Sequence, residues 1–195
     1  MIYNLLPKSN YWNTSAIGQF ENAFTIWIAG LPCSGKTTIA QGIQTIFKEQ
    51  CIQSIHLDGD GLRQGINNNL GFSESDRAEN LRRASETAKL LNSNNIITIA
   101  SFITPLEVNR NAIRQIIGDQ NFLFIGLECA ADVCASRDVK GHYAKVKAGE
   151  LNHFTGISAP FEPYSSADLV INSGELELDV CLKAIINEIN QKFDA

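Results

Sequence analysis

Gly30-Leu31-Pro32-Cys33-Ser34-Gly35-Lys36-Thr37 satisfies every fixed position of the pattern G-x-x-x-x-G-K-[ST]. The flanks suit it. Phe24 to Ala29 is a short apolar run that predicts a buried strand, and Thr37 to Glu49 has the spacing of an amphipathic helix. Glycines let a backbone close around an anion, so that its N–H groups and the helix N-terminus point at the phosphates of a nucleotide. Lys36 is then expected on the β/γ oxygens and Thr37 on Mg²⁺. A chance glycine-rich turn is the plain alternative, and the strand before and the helix after argue against it.

Outward from this loop, strand-like and helix-like stretches alternate. Ser54 to Leu57 predicts a second strand, ending at Asp58-Gly59-Asp60-Gly61. Ser73 to Leu91 predicts a helix with Ser73 as N-cap and Glu74 and Asp76 in the first turn. Ile96 to Phe102 and Gln120 to Leu127 predict buried strands, with a helix opening near Pro105 between them. A short helix over Ala130 to Arg137, a last strand over Leu169 to Ile171 and a closing helix over Leu176 to Phe193 complete the series. Such alternation predicts an α/β fold, a parallel sheet with helices on both faces and ligands at the carboxyl ends of its strands.

Val139 to Pro163 breaks the rhythm. With three glycines, three lysines, two histidines and two prolines it suits a mobile lid better than a core element. Residues 1–22 show no clear periodicity and are expected to form an N-terminal arm, with 23–195 a single domain whose lid spans about 139–163.

Composition narrows the function. A length of 195 residues with 44% hydrophobic and 19% charged residues is that of one globular domain. A net charge of −5 argues against nucleic-acid binding, while a local basic cluster is enough for a small anion. Five cysteines without a C-x-x-C pair suggest reduced thiols, with Cys129 and Cys134 in the core. No apolar run approaches the roughly 20 residues that span a bilayer, and the first residues lack the order of a signal peptide. The expectation is a soluble, cytoplasmic protein with no membrane or nucleic-acid partner.

Asp58 and Asp60 stand where the second strand meets the nucleotide mouth, and a turn at Gly59 would bring both to it. Phosphoryl transfer to a hydroxyl needs one carboxylate to orient the hydroxyl and others to hold Mg²⁺ or its waters. A plain Asp-Gly turn is the other reading. Arg77 and Asn80 share a helix face and suit an anion with a polar neighbour, whereas Arg82 and Arg83 read as solvated charges. Phe72, Phe102 and Phe154 suit a purine sandwich or the core equally well.

These residues resemble the adenylyl-sulfate kinases. The resemblance rests on Gly30 to Thr38, Leu57-Asp58-Gly59-Asp60 with Arg63, Leu70-Gly71-Phe72-Ser73 and Asp76-Arg77 through Arg83. It continues in Ser101-Phe102-Ile103, Arg137-Asp138-Val139-Lys140-Gly141, Ala148-Gly149-Glu150 and Phe154-Thr155-Gly156-Ile157. It implies a P-loop kinase fold in which MgATP phosphorylates the ribose 3′-hydroxyl of adenosine 5′-phosphosulfate (APS), as a step of sulfate activation. By the same likeness Gly30, Cys33, Ser34, Gly35, Lys36, Thr37, Thr38 and Lys140 would contact ATP, and Thr37 and Asp58 would serve the metal. Asp60, Arg63, Phe72, Arg77, Asn80, Phe102, Ile103 and Phe154 would line the acceptor site, and Lys36, Asp58 and Asp60 would carry catalysis. A homodimer is compatible with the sequence, which holds no motif for it.

Departures from the family pattern are specific. Thr104 stands where Ser is common, and the lid reads His142-Tyr143-Ala144-Lys145-Val146-Lys147, followed by Asn152 and His153 ahead of Phe154. The reduced positive charge motivates an alternative, a kinase of this fold acting on a different nucleotide or small hydroxyl acceptor. Asp58 to Gly61 also reads D-x-x-G, as in a nucleotide switch, but no Asn-Lys-x-Asp motif accompanies it.

Overall fold

Strand β1, Thr25–Gly30, is the centre of the molecule and runs straight into the glycine-rich loop. The computed structural model describes residues 20–150 and 154–193. Most of the expected N-terminal arm, and Asn152 and His153 of the expected lid, lie outside them. Helix α1 follows the loop (Lys36–Glu49), then β2 (Ser54–Asp58), α2 (Gly59–Gln64), α3 (Glu74–Asn92) and β3 (Ile97–Phe102). Beyond these come α4 (Glu107–Ile117), β4 (Phe122–Glu128), α5 (Ala131–Ser136), α6 (His142–Lys147), β5 (Leu169–Asn172) and α7 (Leu178–Phe193).

The strands form one parallel sheet in the order β2-β3-β1-β4-β5. Parallel strands need crossovers, and these put helices on both faces. All six residues of β1 are therefore buried, and they divide by the period of two. Ile26 and Ile28 pack with Ile39, Ile43 and Phe47 of α1 and Leu182, Ile185 and Ile189 of α7. Trp27 and Ala29 face the opposite layer, with Leu81, Ala84 and Ala88 of α3 and Ile113 and Ile117 of α4. Burying each large side chain contributes about 1.5–3 kcal/mol, so the two layers hold β1, and the loop it carries, in a fixed place.

The helix expected near Pro105 opens at Glu107, with Leu106 as its extended N-cap, and the Pro105 carbonyl accepts from Arg110 Nη2 and from the Glu162 N–H. Two local expectations shift. Gln120 lies in a 3-10 turn, Asp119–Asn121, that precedes β4. The stretch after Asp58 forms α2 in place of an isolated turn. Within the described part of the expected lid, α6 is a regular element.

Candidate functional site

Gly30 ends β1 where nothing larger fits, because a Cβ there would lie 2.5 Å from Ser34 Oγ and 3.1 Å from Leu127 Cβ. The loop then turns through left-handed conformations at Cys33 (φ 63°) and Gly35 (φ 94°), and Gly35 is the N-cap of α1. Ser173 Oγ donates to the Ser34 carbonyl at 2.8 Å, tying the loop to the segment after β5. Ser34 Oγ itself is buried without a hydrogen-bond partner among the described residues. A hydroxyl left unpaired in such a loop is one that an oxygen of a bound phosphate would satisfy. Lys36 Nζ donates to the Leu31 carbonyl at 2.6 Å. Burial pulls its pKa down to about 8, against the opposing pull of Cys134, Cys33, Asp58 and Asp60.

Asp58 ends β2 with both carboxylate oxygens engaged. Oδ1 accepts from the N–H groups of Asp60 (2.9 Å) and Gly61 (3.4 Å), which makes Asp58 the N-cap of α2. Oδ2 accepts from Thr37 Oγ1 at 3.2 Å and Ser101 Oγ at 3.1 Å. Ser101 reaches it because the β2–β3 register puts it opposite Asp58. His56, two residues earlier on the same face of β2, meets Ser101 Oγ through Nε2 at 2.8 Å. Burial holds the His56 pKa below its ordinary value, although Asp58 pulls the other way. Asp60 is exposed and pairs with Lys140, the expected ATP contact, Nζ to Oδ2 at 2.7 Å.

A second group forms beside this one. Arg63, from α2, donates to the Gly71 carbonyl at 2.7 Å, and its guanidinium lies 4.5 Å from the centre of the exposed Phe72 ring. Arg77, from the first turns of α3, donates to the Phe72 carbonyl at 2.9 Å and to Thr155 Oγ1 at 2.8 Å. Burial lowers the pKa of both arginines, and Arg77 adds to the lowering at Arg63. Asn80 is buried and accepts from Asn67 Nδ2 at 2.9 Å. Arg82 and Arg83 pair with Glu79, and the hydrogen bonds from both arginines hold the Glu79 carboxyl down to about 2.

The three phenylalanines separate. Phe72 is 69% exposed, whereas Phe102 is 4% exposed and stacks on Trp27 with centroids 4.9 Å apart. Phe154 packs edge-on against Tyr143 in a small cluster with Cys134, Leu31 and Cys33. Ile103, half-buried, offers its carbonyl to the Gly30 N–H at 3.4 Å. Gly156 (φ 86°) sits so near Leu31 that a Cβ would come within 2.4 Å of Cδ2, so the Phe154 to Gly156 segment rests on the phosphate loop.

Asp138 ties the lid to that loop. It accepts from the N–H groups of Lys140 and Tyr143, at 3.2 and 2.6 Å, and Cys33 Sγ lies 3.8 Å from Oδ1. Tyr143 in turn donates to the Pro32 carbonyl at 3.0 Å. A cavity of about 510 Å³ adjoins the loop, lined by Leu31, Cys129, Ala130, Val133, Tyr164 and Gly174 among others. None of Asp58, Asp60, Arg63 or Arg77 lines it.

Two structural roles escaped the sequence. Arg110 is buried and donates to the carbonyls of Thr104, Pro105, Glu162 and Pro163, joining the segment after β3 to the end of the expected lid. The ion pair with Glu107 is local, but the carbonyls of Glu162 and Pro163 are 52 and 53 residues away, and no local pattern marks them. Thr104, with φ 44°, is 1% exposed and receives the indole N–H of Trp27 at 2.8 Å. Ser101 and His56 were within reach of the register, since strand alternation puts them on the face of Asp58.

No group of three or more His, Cys, Asp or Glu side chains that could hold a metal ion occurs among the described residues, and at Asp58 the oxygens grouped are its own carboxylate and the Thr37 and Ser101 hydroxyls. No helix among them is long and apolar enough to cross a membrane. All five cysteines are free thiols, Cys134 buried and Cys129 partly so.

Residues 22–172 match the model of the adenylylsulphate kinase family. The adenylyl-sulfate kinase of Bacteroides thetaiotaomicron is 41% identical over 174 residues, covering 89% of this chain and 87% of that protein. The one from Prochlorococcus marinus is 40% identical over 164 residues, with 84% and 82% covered. Among solved structures, an APS kinase of Mycobacterium tuberculosis in complex with AMPPNP and APS superimposes with a TM-score of 0.83. It is 36% identical, with 87% of this chain and 98% of that chain covered. A gluconokinase from Sinorhizobium meliloti, 15% identical with a TM-score of 0.60, shares the fold alone. The phosphate loop, the Asp58 to Asp60 corner and this match over most of the length together make the chain a member of the adenylyl-sulfate kinase family, an ATP-dependent phosphotransferase.

Proposed function

We propose that this chain transfers the γ-phosphoryl group of ATP to the 3′-hydroxyl of APS, giving 3′-phosphoadenosine 5′-phosphosulfate and ADP. The observation that carries the reading is the convergence of two groups of opposite purpose. Lys36, Thr37 and Asp58 would form a donor-side cradle; Asp58 caps α2, and that same short helix carries Asp60 and Arg63, whose guanidinium lies over Phe72 and feels the charge of Arg77. A doubly charged acceptor meeting a polyanionic donor needs such cations to offset repulsion.

On the donor side the loop amides, Ser34 Oγ and Lys36 would grip the ATP phosphates, with Gly30, Cys33, Gly35 and Thr38 shaping the loop. The cavity beside Leu31 is the space offered to the nucleoside. Thr37 and Asp58 offer a hydroxyl and a carboxylate oxygen 3.2 Å apart, a hard-oxygen set that fits Mg²⁺. Bound there, Mg²⁺ would neutralise charge on the donor phosphates.

On the acceptor side Arg63 and Arg77 would hold the phosphosulfate anions while Phe72 and Phe154 bracket the base. Asn80 and Ile103 shape the wall behind them, and Phe102 supports it from the core against Trp27. Asp60 would orient the 3′-hydroxyl and take its proton as the new O–P bond forms, and Lys140 would exchange Asp60 for an ATP phosphate oxygen. We further propose a reduced, cytoplasm-like setting and a homodimer, the latter read out by sedimentation velocity.

A coupled assay for ADP release tests the reading, run with APS beside other nucleotides and small polyols. Turnover that depends on APS above all other acceptors supports it. A larger kcat/KM for a different acceptor, or ADP release indifferent to APS, overturns it.

A further inference from the structure

Asp58 Oδ2 receives two hydroxyl protons, and the second hydroxyl is itself held by a residue to which the reaction assigns no part. Ser101 Oγ has one proton, and the Asp58 carboxylate takes it at 3.1 Å. The contact of 2.8 Å between Ser101 Oγ and His56 Nε2 therefore has the imidazole as donor. This fixes the tautomer with its proton on Nε2 and leaves a directed chain, His56 to Ser101 to Asp58. The sheet builds the chain: His56 and Asp58 alternate onto one face of β2, and Ser101 is the register partner of Asp58 on β3. At the other side of the same oxygen stands Thr37 Oγ1, from the first turn of α1.

We propose that His56 is a positioning residue for phosphoryl transfer, acting through Ser101 to hold Asp58 in register with Thr37. The inference rests on the reading of the Thr37 and Asp58 oxygens given under Proposed function. A serine hydroxyl rotates freely. With its lone pair engaged by the imidazole N–H, its own proton has one direction left, toward Asp58. Removing the imidazole frees the rotor, and the carboxylate loses one of the two contacts that keep Oδ2 beside Thr37. A partner in this position behind a metal-binding oxygen is worth about 10- to 100-fold in metal affinity or rate. A histidine that merely filled the space beside α1 would be replaceable by any side chain of similar volume.

The test uses the full chain with His56→Leu, which keeps the bulk and removes the donor, and His56→Gln, which restores an N–H. Three quantities are read: kcat with APS and the KM for APS, the Mg²⁺ dependence of AMPPNP binding by calorimetry, and the imidazole ¹⁵N spectrum of the wild type. His56→Leu is expected to lower kcat about 10-fold and to raise the Mg²⁺ requirement for AMPPNP by a similar factor, with the KM for APS within about two-fold. His56→Gln is expected to recover most of the loss, and the spectrum to show a neutral ring protonated on Nε2. Unchanged Mg²⁺ dependence in His56→Leu, equal damage in both variants, or a ring protonated on Nδ1 overturns the inference. Should the wild type not use APS, the proposed function fails by itself, and the Mg²⁺ dependence and the ring spectrum still decide the role of His56.

Discussion

Lys140 Nζ and Asp60 Oδ2 are 2.7 Å apart across 80 residues of sequence, and this ion pair joins the start of the lid to α2. Both side chains are about two-thirds exposed, so the pair contributes under about 1 kcal/mol to stability. Asp60 holds Lys140 with its hydrogen bond and its charge, which raise the lysine pKa. Lys140→Ala is therefore expected to leave the denaturant midpoint nearly unchanged and to raise the KM for ATP by about 5- to 10-fold, the worth of one charge-assisted contact. An unaltered KM for ATP would remove Lys140 from the donor site.

Lys36 supplies a pH signature. Its pKa near 8 in the folded chain lies below the ordinary lysine value of about 10.4 in the unfolded one. Between these the unfolded chain holds the proton and the folded chain does not, so the contribution of this group to stability rises with pH across that window. A polyanion at the loop favours the ammonium. Binding of AMPPNP at pH 8.5 is accordingly expected to take up protons, and affinity to fall as pH rises above about 8. Calorimetry in two buffers of different ionisation heat measures the uptake, and a value of zero would contradict the assignment.

Arg77 bridges the Phe72 carbonyl and Thr155 Oγ1, and in the proposed reaction it would organise the acceptor side as well as lend charge. Arg77→Ala is expected to raise the KM for APS about 10- to 100-fold and to change kcat by less than about 3-fold, because the loss falls on a ground-state anion contact. Steady-state kinetics with APS varied at saturating ATP gives both numbers. A KM that stays put would mean the acceptor pocket is misplaced.

Thr104 makes the opposite kind of prediction. Its hydroxyl is buried under the indole of Trp27. Thr104→Val leaves that N–H unpaired and is expected to cost about 1–3 kcal/mol in denaturant unfolding. With direct transfer from ATP, kcat per folded molecule is expected to stay within about 3-fold. A complete loss of turnover in a folded variant would give Thr104 a chemical part after all.

The elements read most directly were those whose pattern is local. Gly30 to Thr37 has fixed positions, and the apolar runs of β1, β3 and β4 lie in the interior of a sheet covered on both faces, so continuity itself was the signal. Ser73 as a cap and Cys134 in the core followed from residue type. Phe102 could be read two ways until strand phase is applied: Ala100 and Phe102 belong with Trp27, whereas Ile99 belongs with Ile28. The contacts of Arg110 with the Pro163 carbonyl and of Tyr143 with the Pro32 carbonyl depend on main-chain groups brought together by the fold. Side chains that serve distant carbonyls carry no period to detect.

The most direct measurement follows labelled γ-phosphate from ATP to product. With APS as acceptor the label is predicted on the ribose 3′-oxygen of 3′-phosphoadenosine 5′-phosphosulfate, in amounts equal to the ADP released, and neither 3′-deoxy-APS nor the Lys36→Ala variant should yield it. Label retained as free phosphate, or delivered to another acceptor in preference to APS, would contradict the account.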